Sequence, residues 1–310
     1  KRWVKERGLP IKECGKLIVP QKLELDSQID ILYERAKENG ARVEIWDELQ
    51  MKSLLPMART ASGRCLWSPE TSIVKPIRII EELAKELYEK GVEFLFNKIW
   101  EVNKSKNQIR LNKEENISYG YFINCAGLYA DTIAHMFNLG KQYTLIPFKG
   151  LYWEIENRNK FKIPTNLYPV PDLNLPFLGV HLTPDAVDNS KVYIGPTATI
   201  ALGRENYRGI NSIEPNLTMQ NMGIMLKQYL SNKGNIREYI NTQAFQMAPR
   251  VMIKTAQKIL PELSIDDIKL SSKVGIRPQL FNRTTQQLED DFICLKSKNS
   301  LQVLNSISPA

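Results

Sequence analysis

One stretch constrains the fold more than any other: YFINCAGLYADTIAHM, residues 121–136. A short apolar run ends in Asn-Cys-Ala-Gly, and helical spacing begins at once. A glycine between a buried strand and a helix gives the backbone conformations and close approach that other residues forbid. The helix N-terminus beyond it favours a phosphate. Two readings stand for Cys125, Ala126 and Gly127: a backbone turn facing a nucleotide, or a tight strand-to-helix turn with no ligand.

The flanking sequence places this junction in an α/β domain. Residues 25–39 carry apolar side chains at 29, 32, 33 and 36, the face of a helix started at Asp26 or Ser27 and stopped by Gly40. ARVEIW follows as a strand. Residues 75–90 repeat the pattern at 77, 80, 83, 84 and 87, with Gly91 ending it and VEFLFN (92–97) next as a strand. IWEV, QIRLN and ISYGYFIN then read as a small β-meander leading into the buried strand. From about residue 144 the texture changes: LIPFKGLYWEIE, TNLYPVPD, FLGVHLT and KVYIGPTA are strand-like and rich in Pro and aromatics. They predict an antiparallel sheet over a pocket. Helices are expected at 216–230 and 238–259, and strands again at KVGIRPQLF and DFICLK. The fold class is therefore mixed α/β: one domain from 1–143 with 265–310, and an inserted domain over 144–264, with segments near 11–50 able to join either.

Several chemistries lack their motifs. No two of the 16 glycines stand two apart, so neither GxGxxG nor a P-loop is present. GxSxG is absent. Two His in 310 residues make a His-based metal site a poor expectation, and no metal is assigned. The formal charge of +8 is dispersed among acids, which argues against nucleic acid and suits an anionic small molecule or an acidic membrane surface. Four cysteines without a CxxC, with Cys65 and Cys125 in apolar surroundings, point to a reducing compartment. No 18-residue apolar run occurs. The expected location is cytoplasmic or peripheral at the inner face of a membrane, mitochondrial for a eukaryotic source.

Three further constellations carry chemistry. In KVGIRPQLF, Gly275 and Pro278 bracket Arg277, which reads as a carboxylate-gripping guanidinium or as an Arg on a sheet edge. In FLGVHLT, His181 reads as a general base or as a hydrogen-bonded structural His. In FKGLYW, Tyr152 points into a pocket or packs, and Lys149 reads rather as solvated.

In order, CGKLIVP, FINCAGLYAD, IPFKGLYW, NLYPVPD with PFLGVHLT, IGPTA, VGIRPQ, DDFI and LNSISPA resemble the FAD-dependent L-2-hydroxyglutarate dehydrogenase/oxidase family, within the D-amino-acid-oxidase-like flavoproteins. The resemblance runs from about residue 11 to the end. It implies an FAD-binding Rossmann-like domain with an inserted antiparallel substrate domain. It implies oxidation of L-2-hydroxyglutarate to 2-oxoglutarate, with electrons passed to a quinone or another acceptor; the alternative is another flavin oxidoreductase of the superfamily, acting on an amino acid or glycerol 3-phosphate. Val102, Cys125, Ala126, Gly127, Gly275, Arg277, Asn305, Ser308 and Pro309 are implied in cofactor contact, and Tyr152, His181 and Arg277 in substrate contact, His181 and Arg277 catalytically. Pro278 follows the wider superfamily; close relatives often carry Ala. The family begins with a GxGxxG unit and continues past SPA into a final helix. This chain has neither, so it reads as a fragment whose cofactor domain is incomplete, expected to be poorly stable and to hold no FAD by itself.

Overall fold

Amphipathic spacing and glycine stops produce the helices where the periodicity predicts them. In chain order the elements are α1 (Arg2–Glu6), β1 (Ile11–Glu13), β2 (Lys16–Val19), α2 (Ser27–Glu38), β3 (Glu44–Asp47), α3 (Glu48–Leu54), β4 (Arg64–Ser68), β5 (Ser72–Val74), α4 (Pro76–Glu89), β6 (Trp100–Asn103), β7 (Gln108–Leu111), β8 (Glu115–Ser118), β9 (Phe122–Asn124), α5 (Ala130–Met136), β10 (Tyr143–Ile155), β11 (Asn166–Pro169), β12 (His181–Pro184), β13 (Val192–Gly195), β14 (Thr199–Ile200), α6 (Pro215–Ser231), α7 (Pro249–Ala256), β15 (Ile268–Asn282), β16 (Gln287–Leu288), β17 (Cys294–Lys296) and β18 (Ser300–Val303). This computed structural model describes residues 1–103, 107–156, 160–171, 179–232, 237, 240–241 and 248–306. Much of the helix expected over 238–259 lies outside the described residues; its last part is α7.

The chain forms two compact units. The first comprises residues 1–87, 150–199 and 232–274, the second 88–149, 200–231 and 275–310. The expected boundaries, at 143/144 and 264/265, are drawn at other positions than these.

In the first unit the sheet runs β10–β13–β12–β11–β2–β4–β3, with the residues of β10 from Gly150 onward. It is antiparallel except where β2 lies parallel to β11, Lys16 opposite Asn166 and Ile18 opposite Tyr168. The four strands expected from residue 144 onward pair antiparallel, as predicted; β2 comes from far earlier in the chain, and no local pattern records its direction. Alternation then sorts the side chains. One face presents Leu17, Val19, Trp153, Leu167, Leu182 and Ile194, which pack with Met51 of α3 and with Met252, Ile253 and Ala256 of α7 into the main core. The other face carries Tyr152, Tyr193, His181, Thr183, Tyr168 and Lys16.

α2 behaves as its pattern predicts, with Ile29 fully buried and Leu32 and Tyr33 against a smaller core. Asp26 stands at its N-cap position without capping. Its carboxylate instead accepts from Arg64, at 2.6 Å and 3.1 Å. α4 forms as expected, yet none of its residues is buried. Ile77, Ile80, Leu83 and Leu87 of its apolar face are exposed.

In the second unit β6, β7 and β8 form the expected antiparallel meander. A second sheet, β17–β18–β9, pairs β18 parallel to β9, Ser300 opposite Phe122 and Gln302 opposite Asn124. Ala130, Ala134, Leu145, Leu280 and Leu304 pack into its core. VEFLFN departs from expectation: residues 92–97 join no sheet among the described residues. A strand exists only where a neighbour completes its backbone hydrogen bonds, and these residues have none there. Cys125 also departs, being exposed, whereas Cys65 is fully buried.

Candidate active site

In the second unit the turn after β9 is built by one buried side chain. Asn124 donates through Nδ2 to Ala130 O and to Gln302 Oε1, both at 2.9 Å, and its Oδ1 accepts from Ala126 N at 3.1 Å. One amide thus ties β9 to the first turn of α5 and to β18. Cys125 and Gly127 are left exposed beyond the carboxyl end of the strand. Gly127 has φ +54°, and a Cβ there would meet nothing within 4 Å. In α/β sheets ligands lie outside the carboxyl ends of parallel strands, which is where this turn stands.

The parallel neighbour β18 ends beside it. Asn305 follows, its Oδ1 accepting from Ile293 N at 2.8 Å and its Nδ2 donating to Asp291 O at 2.9 Å. Its side chain is therefore committed to the protein. Gln302 Nε2 is fully buried and lacks a hydrogen-bond partner among the described residues. An open backbone turn and an unsatisfied donor beside it suit an oxygen-rich dinucleotide, so the residues present fit FAD; the glycine-rich phosphate loop is not in the sequence. Val102 lies in the meander, paired with Ile109. Gly275 and Arg277 lie on β15, where Gly275 has open space in front of it. Arg277 is exposed, not half-buried as its sequence setting suggested; it shares a strand face with Gln279 and Phe281 but lies before the buried run 279–282 begins. Ser308 and Pro309 fall outside the described residues. Lys149 is not solvated as expected: its Nζ donates to Asn206 Oδ1 at 2.9 Å, and burial lowers its pKa.

In the first unit the polar sheet face brings Tyr152 and His181 into one row. Trp153 pairs with Ile194, which places Tyr152 opposite Gly195, and Gly195 pairs with His181. Directly opposed residues of antiparallel strands project to the same side. Gly195 therefore stands between the tyrosine and the histidine, and the space a side chain there would need is already taken. A Cβ there would lie 2.8 Å from Leu151 O and 3.2 Å from Tyr152 Cδ1.

His181 is 9% exposed and stacks on Tyr168 with ring centroids 4.0 Å apart. Its Nδ1 is 3.0 Å from Gly179 O. A carbonyl can only accept, so Nδ1 carries the hydrogen, and the lone pair of the neutral ring is on Nε2.

Three members of this face were not singled out from the sequence. Lys16 Nζ lies 5.3 Å from the centre of the Tyr168 ring. Lys273 Nζ lies 4.7 Å from the Tyr152 ring and 4.5 Å from the Tyr193 ring. Burial lowers the pKa of both lysines and raises that of Tyr168. Burial also pushes Tyr193 up to about 12, with Asp185 and Glu154 adding to it. A lysine at the head of the apolar run in GKLIV was the one available signal for Lys16. A separate cleft in the second unit, lined by Asp131, Arg204, Glu214, Gln220 and Arg283, holds none of the expected residues. Its Arg204 is satisfied internally by Glu214, Thr132 and Leu128 O.

A glycine turn at the carboxyl end of parallel strands, together with a separate sheet whose polar face carries aromatics, a histidine and lysines, defines an α/β protein of the dinucleotide-dependent class. The chain belongs to the FAD dependent oxidoreductase family, whose model matches residues 1–295. Among curated relatives, "L-2-hydroxyglutarate dehydrogenase, mitochondrial" of Bos taurus is 28% identical over 305 residues, covering 93% of this chain and 64% of its own length. The protein of the same description from Caenorhabditis briggsae is 30% identical over 321 residues, covering 97% of this chain and 71% of its own. The chain thus spans under two thirds of the bovine relative. In fold it is similar to the L-alpha-glycerophosphate oxidase of Mycoplasma pneumoniae with FAD bound, with TM-score 0.68 and 18% identity over 97% of this chain and 71% of that one. Among the described residues no helix is long and apolar enough to cross a membrane.

Proposed function

We propose that the chain is part of an FAD-dependent dehydrogenase that oxidises L-2-hydroxyglutarate to 2-oxoglutarate. The observation that carries the reading is the polar sheet face of the first unit, where Tyr152 and His181 stand on either side of Gly195 and lysines stand over the tyrosine rings. Such a face suits a small dianion better than a neutral or extended ligand. The relatives named above support the particular substrate.

On this reading His181 takes the substrate hydroxyl proton at Nε2, held in the required tautomer by Gly179 O. Tyr152 lines the substrate, and Arg277 grips its α-carboxylate through a bidentate pair. Residues 144–264 supply the substrate part; residues 1–143 and 265–310 supply the cofactor part. Cys125, Ala126 and Gly127 offer backbone to the dinucleotide, as do Val102, Gly275, Asn305, Ser308 and Pro309. Bound FAD would supply hydride acceptance and onward electron transfer to a quinone or other acceptor. The relatives' descriptions support a mitochondrial location for a eukaryotic source.

The test is the visible spectrum of the chain after incubation with FAD and gel filtration, followed by anaerobic addition of substrates. A retained flavin band bleached by L-2-hydroxyglutarate, and not by its D-isomer, an amino acid or glycerol 3-phosphate, would support the reading and overturn the expectation that this chain holds no FAD by itself. Bleaching by an amino acid instead would replace the substrate. A colourless protein would remove the flavin reading for this chain by itself.

A further inference from the structure

The polar face holds a charge for which the protein supplies no counterpart. Among the described residues no carboxylate lies within ion-pairing distance of Lys16, and its half-buried ammonium rests over the Tyr168 ring. Most other cations of the first unit are differently placed: Lys5 pairs with Glu13, Arg64 with Asp26, and Lys160 with Asp267. Lys273, the other lysine of this face, has the opposing charge of Asp185 acting on it. A desolvated cation is costly unless a partner completes it, so a site that keeps one is arranged for an anion.

The position of Lys16 narrows the anion. β11 lies between β12 and β2, so His181 and Lys16 approach the Tyr168 ring from opposite sides. The imidazole is 4.0 Å from that ring and the ammonium 5.3 Å. The imidazole centre and the ammonium therefore stand no more than about 9 Å apart, with the Tyr168 ring between them. A ligand that hydrogen-bonds to both passes over the edge of that ring, so it needs two oxygen-bearing groups separated by several carbons, as a hydroxyl and a remote carboxylate are.

We infer that Lys16 binds the carboxylate remote from the reacting hydroxyl and so selects dicarboxylates over monocarboxylates, with Tyr168 as the platform that spaces it from His181. This rests on the reading that the chain handles a 2-hydroxy dicarboxylate, and it assigns the residue that reads the second charge. Lys16 is a specificity determinant; it takes no part in the proton or hydride step.

Titration calorimetry of the chain with 2-oxoglutarate and with the monocarboxylate 2-oxobutyrate tests the inference without flavin or turnover. The unsubstituted chain should prefer the dicarboxylate. Lys16→Met should weaken 2-oxoglutarate on the order of tenfold or more, as expected for losing a charged hydrogen bond, and leave 2-oxobutyrate unchanged. Lys16→Arg keeps the charge and should retain the preference; Lys16→Gln serves where Met perturbs folding, checked by near-ultraviolet circular dichroism. A Lys16→Met chain that binds 2-oxoglutarate as the unsubstituted one does would overturn the assignment while leaving the dicarboxylate reading intact. No preference for the dicarboxylate in the unsubstituted chain would overturn both.

Discussion

Gly15 and Gly127 are both left-handed, with φ +68° and +54°, yet they serve opposite ends. A Cβ at Gly15 would fall 2.0 Å from Trp67 Cη2, within the aromatic stack where Trp46 and Trp67 lie 4.8 Å apart. Gly15→Ala should destabilise the fold by about 2 kcal/mol or more, from overpacking added to backbone strain; a lower urea midpoint at constant slope is the measurement. Gly127→Ala meets empty space and costs only the left-handed backbone, about 1 kcal/mol. It should weaken flavin retention more than folding, read by gel filtration with FAD against the urea midpoint. Both glycines were visible in the sequence, but their difference was not. GKLIV shows nothing of Trp67, which is 52 positions away and arrives through strand pairing. Lys16 was overlooked for the same reason: Tyr168 and His181 meet it only in three dimensions.

At the scale of elements, the link from β12 to β13 turns on Asp185, whose buried carboxylate accepts from Val187 N at 2.8 Å and Asp188 N at 3.0 Å, with Lys75 Nζ at 3.5 Å. Burial alone would raise its pKa; the two backbone donors and Lys75 outweigh burial and hold it below the usual carboxylate range. A carboxyl depressed in the folded state stabilises fully above its unfolded pKa, about 3.9, and loses that contribution as pH falls through the folded value. Asp185→Asn should therefore lose stability near neutrality and show a flatter decline below about pH 4, followed by thermal melts across pH. Helices 25–39, 75–90 and 216–230 and the meander were legible because their patterns are local. The parallel pairing of β2 was not, since register between distant segments is set by burial of a shared face. VEFLFN has strand composition without a strand, which separates propensity from pairing.

At the scale of the molecule, the apolar stripe of α4 is the feature that sequence periodicity identified and the fold leaves uncovered. Ile77 is 55% exposed and Ile80 60%, although such a face normally anchors a helix. The chain should therefore bind a hydrophobic dye such as ANS. Replacing Ile80 by Glu and Leu87 by Lys should remove roughly half of that signal and sharpen the gel-filtration peak, because an exposed patch of this kind promotes association. Unchanged dye binding would mean that the stripe is covered in solution. The composition of the two compact units was beyond the sequence: each is assembled from three separated segments, and the long runs of β10 and β15 contain no break at the changeovers.

The glycine between Tyr152 and His181 has a consequence for how such a face can vary. Leu151 O and the Tyr152 ring already lie where a side chain at 195 would go, and a φ of +143° suits few residues. This point of the face cannot be altered one methylene at a time. Any retuning toward larger or smaller ligands must come from the surrounding side chains, at Tyr152, Tyr168 and Lys16, while the backbone between them stays constant.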